Sequence, residues 1–175
     1  MKKSALIILT CVLFSSKCNA LVDVEEKEDC VESCKEESQQ ERLGGHCYHF
    51  STASKSWHKS KLHCKSKNGH LAAVTNLEIH NFLMKKVDED DRRTWFWIGG
   101  SDKGEEGNWK WTDGSVWNFT NWADQPYKQP NSANEDCLQI HNRYFARNGW
   151  NDQNCNHQYR FICSWRICPG IVSPC

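Results

Sequence analysis

The sequence predicts an α+β fold, in which two helices precede a run of short strands within one disulfide-bonded domain. Residues 56–67 and 75–87 carry apolar side chains at helical spacing. From Trp95 onward, short apolar runs alternate with Gly, Asn and Asp, a pattern typical of strands joined by turns. Eleven of the 175 residues are Cys, which indicates a disulfide framework in an exported protein.

The first twenty residues have the charged, apolar and small-residue zones of a secretory signal peptide. We expect cleavage after Ala20, because the apolar run 5–14 is about half the length needed to span a bilayer. An exported chain without a membrane span is therefore predicted. Removal of residues 1–20 leaves 19 basic and 22 acidic residues, a net charge of −3. No basic stripe is recognised, so nucleic acid is not an expected partner.

Residues 21–45 are highly charged and poor in large apolar side chains, which predicts an exposed N-terminal stalk. The rest of the chain begins with a predicted strand at 46–51. The first helix, 56–67, ends at Asn68-Gly69. The second begins at Thr75-Asn76-Leu77-Glu78, which has the form of a capping box. The expected organisation is a signal peptide (1–20), a stalk (21–45), one domain (46–165) and a Cys-containing tail (166–175).

Five later strands are predicted at 95–98, 108–112, 137–141, 145–149 and 158–163. Between them, residues 115–135 form a long stretch with two prolines and little periodicity. Loops of this length usually have a function.

Nine tryptophans allow two interpretations. Aromatic faces pack against the apolar faces of sugars, but each ring also buries on the order of 150–250 Å² in a core. A small domain with a long loop needs such residues to close its core. We therefore expect core positions for most of Trp57, Trp97, Trp109, Trp111, Trp117, Trp122 and Trp150.

Five oxygen-bearing side chains lie on two loop segments beside a pair of cysteines. Calcium takes six to eight oxygen ligands from carboxylates, amides and backbone carbonyls. The set holds no His or thiolate, which argues against zinc. Loops are generally rich in these residue types, but their number and order favour a calcium site. The candidate ligands are Gln129, Asn131, Glu135, Asn151 and Asp152.

At these residues the sequence resembles the C-type lectin-like family. In that family three short motifs build a calcium site that holds a sugar directly, and their counterparts here are Gln129-Pro130-Asn131, Glu135-Asp136-Cys137 and Trp150-Asn151-Asp152. Further matches are Trp97-Ile98-Gly99-Gly100, Trp109 to Gly114, and Tyr159 to Cys163. The resemblance covers about residues 34–165. It implies two helices packed on short antiparallel sheets, with a long calcium loop.

The resemblance also implies a function, that of a secreted, calcium-dependent lectin that recognises cell-surface glycans. Sugar hydroxyls would contact Gln129, Asn131, Glu135 and Asn151. The triplet Gln129-Pro130-Asn131 mixes the galactose form at its first position with the mannose form at its second. We expect a galactose or lactose preference from the first position. Gln125-Pro126-Tyr127 is an alternative proline pair for the site, and Gln129 is preferred because Tyr127 offers no suitable ligand.

An auxiliary calcium ion is a further implication of the resemblance. Its candidate ligands are Asp102, Glu106 and Asp136, while Ser132 stands where the best-known members place another Asp. Asp102 is equally well explained as a turn residue.

The family's disulfide pattern implies the pairs Cys34–Cys47, Cys64–Cys163 and Cys137–Cys155. Three cysteines, Cys30, Cys168 and Cys175, are left over, which allows a disulfide-linked homodimer. Asn118-Phe119-Thr120 is an acceptor sequence for N-glycosylation.

No enzyme motif is found. The eight histidines show no metal-protease pattern, and the paired carboxylates Glu105 and Glu106 lie in a Gly-rich turn rather than an apolar pocket. The alternative function is a lectin-like module without sugar binding, acting by protein contact or, as in related fish antifreeze proteins, on ice. Those proteins carry extra cysteines within the domain. Here only Cys137 and Cys155 lie between Cys64 and Cys163, which disfavours the antifreeze alternative.

Overall fold

The computed structural model describes residues 30–31, 34, 40–90, 95–124, 128–141 and 149–168. The expected signal peptide and most of the expected stalk and tail lie outside these residues, as does most of the strand predicted at 145–149. Within the described part, no helix has the length and apolar character needed to cross a membrane.

Two helices form where the helical periodicity predicted them. Helix α1 is Trp57–Lys65 and helix α2 is Leu77–Glu89. The N-cap of α2 is Asn76, whose Oδ1 accepts a hydrogen bond from Ile79 N at 2.9 Å. The expectation of a cap at Thr75 is therefore corrected by one residue. Asn is as good a cap as Thr, and its side chain reaches the same orphan N–H groups of the first turn.

Nine strands are described: β1 (Cys30–Val31), β2 (Gln40–Leu43), β3 (His46–Phe50), β4 (His70–Leu71), β5 (Trp95–Ser101), β6 (Lys110–Trp111), β7 (Cys137–His141), β8 (Trp150–Gln153) and β9 (Arg160–Ile167). They are joined in the order β2-β3-β9-β5-β7-β8, with β1 and β4 paired to β9 and β6 paired to β5. Most pairs are antiparallel, as expected, but β9 runs parallel to β5 and to β1.

Strand β9 lies at the centre of this arrangement, because β1, β3, β4 and β5 all pair with it. Six of its eight residues are buried, from Arg160 to Trp165. A strand buried on both faces reads as a nearly continuous apolar run rather than as an alternation. Strand β9, which follows the long loop, thus joins the strands that precede that loop.

Part of the segment expected to be a stalk contributes to the sheet. Residues Gln40–Leu43 form β2, which pairs with β3 through the turn at Gly44 and Gly45. Gly44 has a φ of 55°, a left-handed conformation that favours glycine in such a tight turn. The charged side chains of β2 suit an edge strand, because charge on an edge discourages pairing with other chains.

The tryptophans are mainly core residues, in line with the interpretation preferred above. Trp57, Trp97, Trp109, Trp111 and Trp150 are all at most 7% exposed. Trp117 and Trp122 are partly buried and pack against the core cluster that contains Trp109, Trp111 and Trp150. Apolar burial on this scale is the main term that offsets the conformational entropy of ordering the chain.

A buried ion pair joins the end of α2 to the start of β9. The guanidinium of Arg160 pairs with Asp90 and its Nε donates to the carbonyl of Ser51. The same guanidinium lies 4.5 Å from the centroid of Phe96. A charge buried this deeply is tolerated because its donors are satisfied on several sides.

Three disulfides have the pairings implied by the family resemblance: Cys34–Cys47, Cys64–Cys163 and Cys137–Cys155. Cys168, one of the three cysteines left unassigned by the sequence, is also disulfide-bonded. Cys175 lies outside the described residues.

The disulfides Cys64–Cys163 and Cys137–Cys155 should contribute different amounts to the free energy of unfolding. Cys64–Cys163 spans 99 residues and Cys137–Cys155 spans 18. Because the entropy lost by the unfolded chain grows with loop length, the longer bridge should contribute about 4.7 kcal/mol and the shorter about 3 kcal/mol. Urea unfolding of the paired Cys→Ala variants, followed by tryptophan fluorescence, measures both. An equal loss from both pairs would contradict this account.

Candidate functional site

The long loop after β6 is held to β8 by its backbone. Ala123 N donates to the carbonyl of Trp150 at 2.9 Å, and Trp150 N donates to the carbonyl of Asn121 at 2.7 Å. A Cβ added at Gly149 would lie 2.3 Å from Ala123 Cα, so only glycine permits this approach. Gln129 N then donates to the carbonyl of Ala123 at 2.8 Å. These contacts place residues 129–135 beside the start of β8.

The triplet Gln129-Pro130-Asn131 contains a cis peptide bond, between Gln129 and Pro130. The competing proline pair, at residues 125–127, lies outside the described residues. Gln129 is 9% exposed, and its side-chain carbonyl oxygen is buried without a hydrogen-bond partner. A buried acceptor left unpaired costs about 1–3 kcal/mol, so this oxygen requires a ligand or water to satisfy it.

Asp152 provides the carboxylate at the centre of the site. It is 1% exposed, and its Oδ2 accepts hydrogen bonds from Asn131 N at 3.1 Å and Ser132 N at 3.2 Å. Burial raises the pKa of Asp152, while these backbone bonds lower it and the charge of Asp102 raises it further. The loop carrying Asn131 is therefore fastened to β8 by a single buried carboxylate.

Glu135 and Asn151 complete the candidate set. Burial raises the pKa of Glu135, the neighbouring charge of Asp152 adds to this shift, and His157 opposes it. The side-chain nitrogen of Asn151 donates to the backbone carbonyl of Asp152. Asn131 is exposed and Asn151 half-buried, so the amides border the solvent side of the buried carboxylate.

The acidic residues proposed for an auxiliary ion lie at the same end of the molecule. Asp102 N donates to the carbonyl of Asp136 at 3.3 Å, and Asp102 Oδ2 accepts from Gly107 N at 2.9 Å. Its other oxygen, Oδ1, is buried without a partner. Burial raises the pKa of Asp102, and Asp136 raises it further. Glu106 is exposed and lies within the electrostatic field of Asp102, Asp136 and Asp152.

These groups fit a hard cation. The donors are carboxylate and amide oxygens, two of the buried oxygens lack partners, and the carboxylates repel one another. Among the described residues, no three His, Cys, Asp or Glu side chains form a group able to hold a metal. A cation at the main site would therefore draw on the amides of Gln129, Asn131 and Asn151 as well as on Glu135 and Asp152.

His80 is a positioning residue that the sequence did not single out. It belongs to α2, is 3% exposed, and its Nδ1 accepts a hydrogen bond from Trp150 Nε1 at 3.2 Å. Its Nε2 lies 2.9 Å from the side-chain amide of Asn121. Both partners flank the candidate ligands, since Trp150 precedes Asn151 and Asn121 receives the backbone N–H of Trp150. His80 therefore links α2 to the base of the site.

A helix pair on a mixed sheet, with a long loop that gathers oxygen ligands beside a disulfide, defines the class of lectin-like recognition domains. The family model described as "Lectin C-type domain" matches residues 53–165. The chain belongs to the C-type lectin domain family.

Curated relatives agree with this assignment. The chain is 34% identical over 135 residues to the hepatic lectin of Gallus gallus, an alignment covering 74% of the chain and 60% of that protein. It is 35% identical over 126 residues to the alpha-N-acetylgalactosamine-specific lectin of Patiria pectinifera, covering 68% of the chain and 73% of that protein. The C-type lectin domain family 4 member F of Mus musculus, 34% identical over 128 residues, is matched over only 22% of its length.

Solved structures share the same fold. The carbohydrate-recognition domain of the mouse scavenger receptor C-type lectin superposes with a TM-score of 0.65 at 29% identity, covering 77% of this chain and 98% of that one. A calcium-independent type II antifreeze protein also has a TM-score of 0.65, at 25% identity, covering 77% of this chain and 95% of that one. The fold is thus common to sugar-binding and ice-binding proteins.

Replacement of His80 tests its positioning role. His80→Leu should lower the free energy of unfolding by about 1–3 kcal/mol, because the buried Trp150 N–H loses its acceptor. His80→Asn places an amide oxygen near the position of Nδ1 and should restore much of that loss. Urea unfolding followed by tryptophan fluorescence measures both variants. Equal destabilisation by Leu and Asn would show that packing, rather than the hydrogen bond, is what His80 supplies.

Proposed function

We propose that this protein is a calcium-dependent carbohydrate-binding lectin, with no enzymatic activity, and that its sugar site lies at Gln129, Asn131, Glu135 and Asn151. The supporting observation is the buried, unpartnered carbonyl oxygen of Gln129 beside the buried carboxylate of Asp152. Both groups would be satisfied by one hard cation.

When bound, calcium would supply open coordination positions for two neighbouring sugar hydroxyls. The side chains of this chain determine which hydroxyls fit. Amide nitrogens donate and carboxylate oxygens accept, so each ligand side chain also selects the orientation of a hydroxyl. Asp152 has a different role, because its carboxylate fixes the backbone at Asn131 and Ser132 and so holds the loop in place.

We propose a preference for galactose-type sugars. The amide at Gln129 corresponds to the galactose form of the family triplet, and no acid at that position accepts a bond from a mannose hydroxyl. The relative from Patiria pectinifera is an alpha-N-acetylgalactosamine-specific lectin, which supports the same direction. Asn131 has the mannose form, so the preference should be modest.

We also propose that residues 1–20 direct export of the protein. Asn118, which is exposed, would accept an N-linked glycan. Asp102, Glu106 and Asp136 would contribute to an auxiliary cation site, which would also need backbone or amide oxygens, because these carboxylates alone do not form a metal-holding group. The unpartnered Oδ1 of Asp102 is the supporting observation. A cysteine of the tail would allow a disulfide-linked homodimer.

Calcium should bind weakly, with a dissociation constant of about 10⁻³ M or more. Only Glu135 and Asp152 bring charge to the main site, and calcium affinity rises with the number of charged ligands. Calcium titration, monitored by calorimetry and by the rise in Tm, should saturate in the millimolar range. Asp152→Asn should abolish the rise in Tm, whereas Asp124→Asn, the same change at an exposed position of the same loop, should leave it intact. Micromolar binding would contradict this prediction.

Sugar selectivity should follow the charges of the triplet. Asn131→Asp should strengthen both calcium and galactose binding, on the order of tenfold, because it adds a carboxylate and completes the galactose pattern. Gln129→Glu should shift preference towards mannose. Retention on galactose and mannose columns, with release by a chelator, measures both effects.

Matched controls are available for both substitutions. Asn134→Asp and Gln158→Glu make the same charge changes at exposed positions outside the candidate ligand set and should not alter selectivity. If the unmutated protein bound mannose and not galactose, the preference proposed here would be wrong.

The second candidate function is a lectin-like module without sugar binding. It is favoured by one observation, the equal TM-scores of the calcium-independent antifreeze protein and the mouse carbohydrate-recognition domain. Absence of retention on any sugar column, with calcium present or absent, would support this candidate over the first.

A further inference from the structure

Helix α1 carries a basic face that the net charge of the chain conceals. Between Lys55 and Lys67 every charged side chain is basic. The overall balance of charge hides this stripe, which becomes apparent once these residues are placed on one helix. The face consists of Lys55, His58, Lys59, Lys61, His63, Lys65 and Lys67, together with Lys103 from the turn after β5.

The helical period arranges these basic side chains in two rows. His58, Lys61 and Lys65 follow one another at spacings of three and four residues, and Lys103 Nζ extends the row by lying 3.2 Å from His58 Nε2. Lys59 and His63 form the second row, four residues apart. Between the rows lies Leu62, which is 65% exposed. Lys59, Lys61, Lys65 and Lys67 are exposed, while His58 and His63 are half-buried.

Little on the protein itself neutralises this ridge. In the described part of the chain, no lysine of α1 lies within ion-pairing distance of a carboxylate. Burial lowers the pKa of His63, and its charged neighbours Lys67 and Lys55 lower it further. Burial also lowers the pKa of His58, and the positive charges of Lys103 and Lys61 lower it further. The negative charge of Asp136 raises it. Like charges four residues apart destabilise a helix, so this arrangement favours an external anion.

We propose that the basic face of α1 binds a sulfated polysaccharide, independently of calcium. The face is a convex ridge of lysines along one short helix, which suits a flexible chain that carries many anionic groups. Its cations are lysines, and it lacks the Arg that gives bidentate contacts to phosphate. Trp57 is buried and unavailable to stack on bases, and Leu62 by itself offers too little apolar surface for insertion into a bilayer.

The position of the ridge connects it to the glycan site proposed above. Trp57 N donates to the carbonyl of Cys155 at 3.0 Å, and Cys155 is bonded to Cys137, which follows Glu135 and Asp136 in the chain. The ridge therefore begins beside the loops of the candidate site. An acidic glycan could contact both surfaces, yet the ridge itself requires no metal.

Heparin binding in the presence of a chelator tests the proposal on the full chain. The unmutated protein should be retained on heparin-agarose at low salt and should elute with NaCl, because screening weakens contacts between exposed charges. The triple variant Lys59→Gln, Lys61→Gln, Lys65→Gln should bind roughly tenfold more weakly, the order expected from three exposed charge contacts. Its binding should also depend less steeply on salt concentration.

The matched control is Arg42→Gln, Lys85→Gln, Lys110→Gln, which removes three exposed positive charges elsewhere and should leave retention unchanged. Circular dichroism of both triple variants establishes that they fold. Equal weakening of the two variants, or loss of retention on addition of the chelator, would overturn the proposal.

Competition experiments distinguish sulfate groups from other anionic groups as the ligand of the basic face. Free heparin should displace the protein, whereas desulfated heparin should not. Tighter binding to duplex DNA or to vesicles containing phosphatidylserine would also overturn the proposal. These outcomes do not depend on the galactose site: failure of the protein to bind galactose leaves the heparin result unaffected, and heparin failure leaves the galactose result unaffected.

Discussion

The central position of strand β9 is the constraint on which the rest of the structure depends. Four strands pair with it, and Cys163 within it is bonded to Cys64 of α1 across 99 residues of chain. Contacts this distant in sequence cost much chain entropy, which the buried aromatic core and the disulfide offset. The early helices and the late strands therefore become one scaffold only when the end of the domain is in place.

The candidate site depends on this scaffold because its own loop has almost no regular structure. The described residues of the segment 112–136 form no strand. Ala123 instead bonds to β8 through its backbone, and Asn131 and Ser132 donate backbone N–H groups to the Asp152 carboxylate. The aromatic cluster around Trp150 and the bond from Trp150 to His80 fix β8 in turn. A binding loop without regular secondary structure thus acquires a defined geometry from its contacts with β8, which is itself held by α2.

Charge is segregated on this small domain. Carboxylates concentrate around Asp102, Glu106 and Asp152, while lysines concentrate on α1, and the two groups nearly cancel in the total. Burial and the neighbouring carboxylates raise the pKa of Asp152 and Asp102, so a bound cation would stabilise their charged forms. Among the described residues, the lysines of α1 form no ion pair with a carboxylate. Each surface is suited to a partner of opposite sign, a cation at one and an anionic polymer at the other.

The sequence by itself determined the fold class, the two helices and the residues able to form an oxygen-rich site, because periodicity, cap residues and ligand types are local properties. It also indicated the family, through motifs such as Gln129-Pro130-Asn131 and Trp150-Asn151-Asp152. Only the tertiary structure decided that β2 joins the sheet, that His80 supports Trp150 and that Gln129 has a buried free oxygen. It also showed that, among the described residues, the α1 lysines form no ion pair with a carboxylate. The bond between His80 and Trp150 and the burial of Gln129 depend on contacts between residues distant in the chain, and burial or neutralisation of a side chain is a property of its surroundings rather than of its own sequence position.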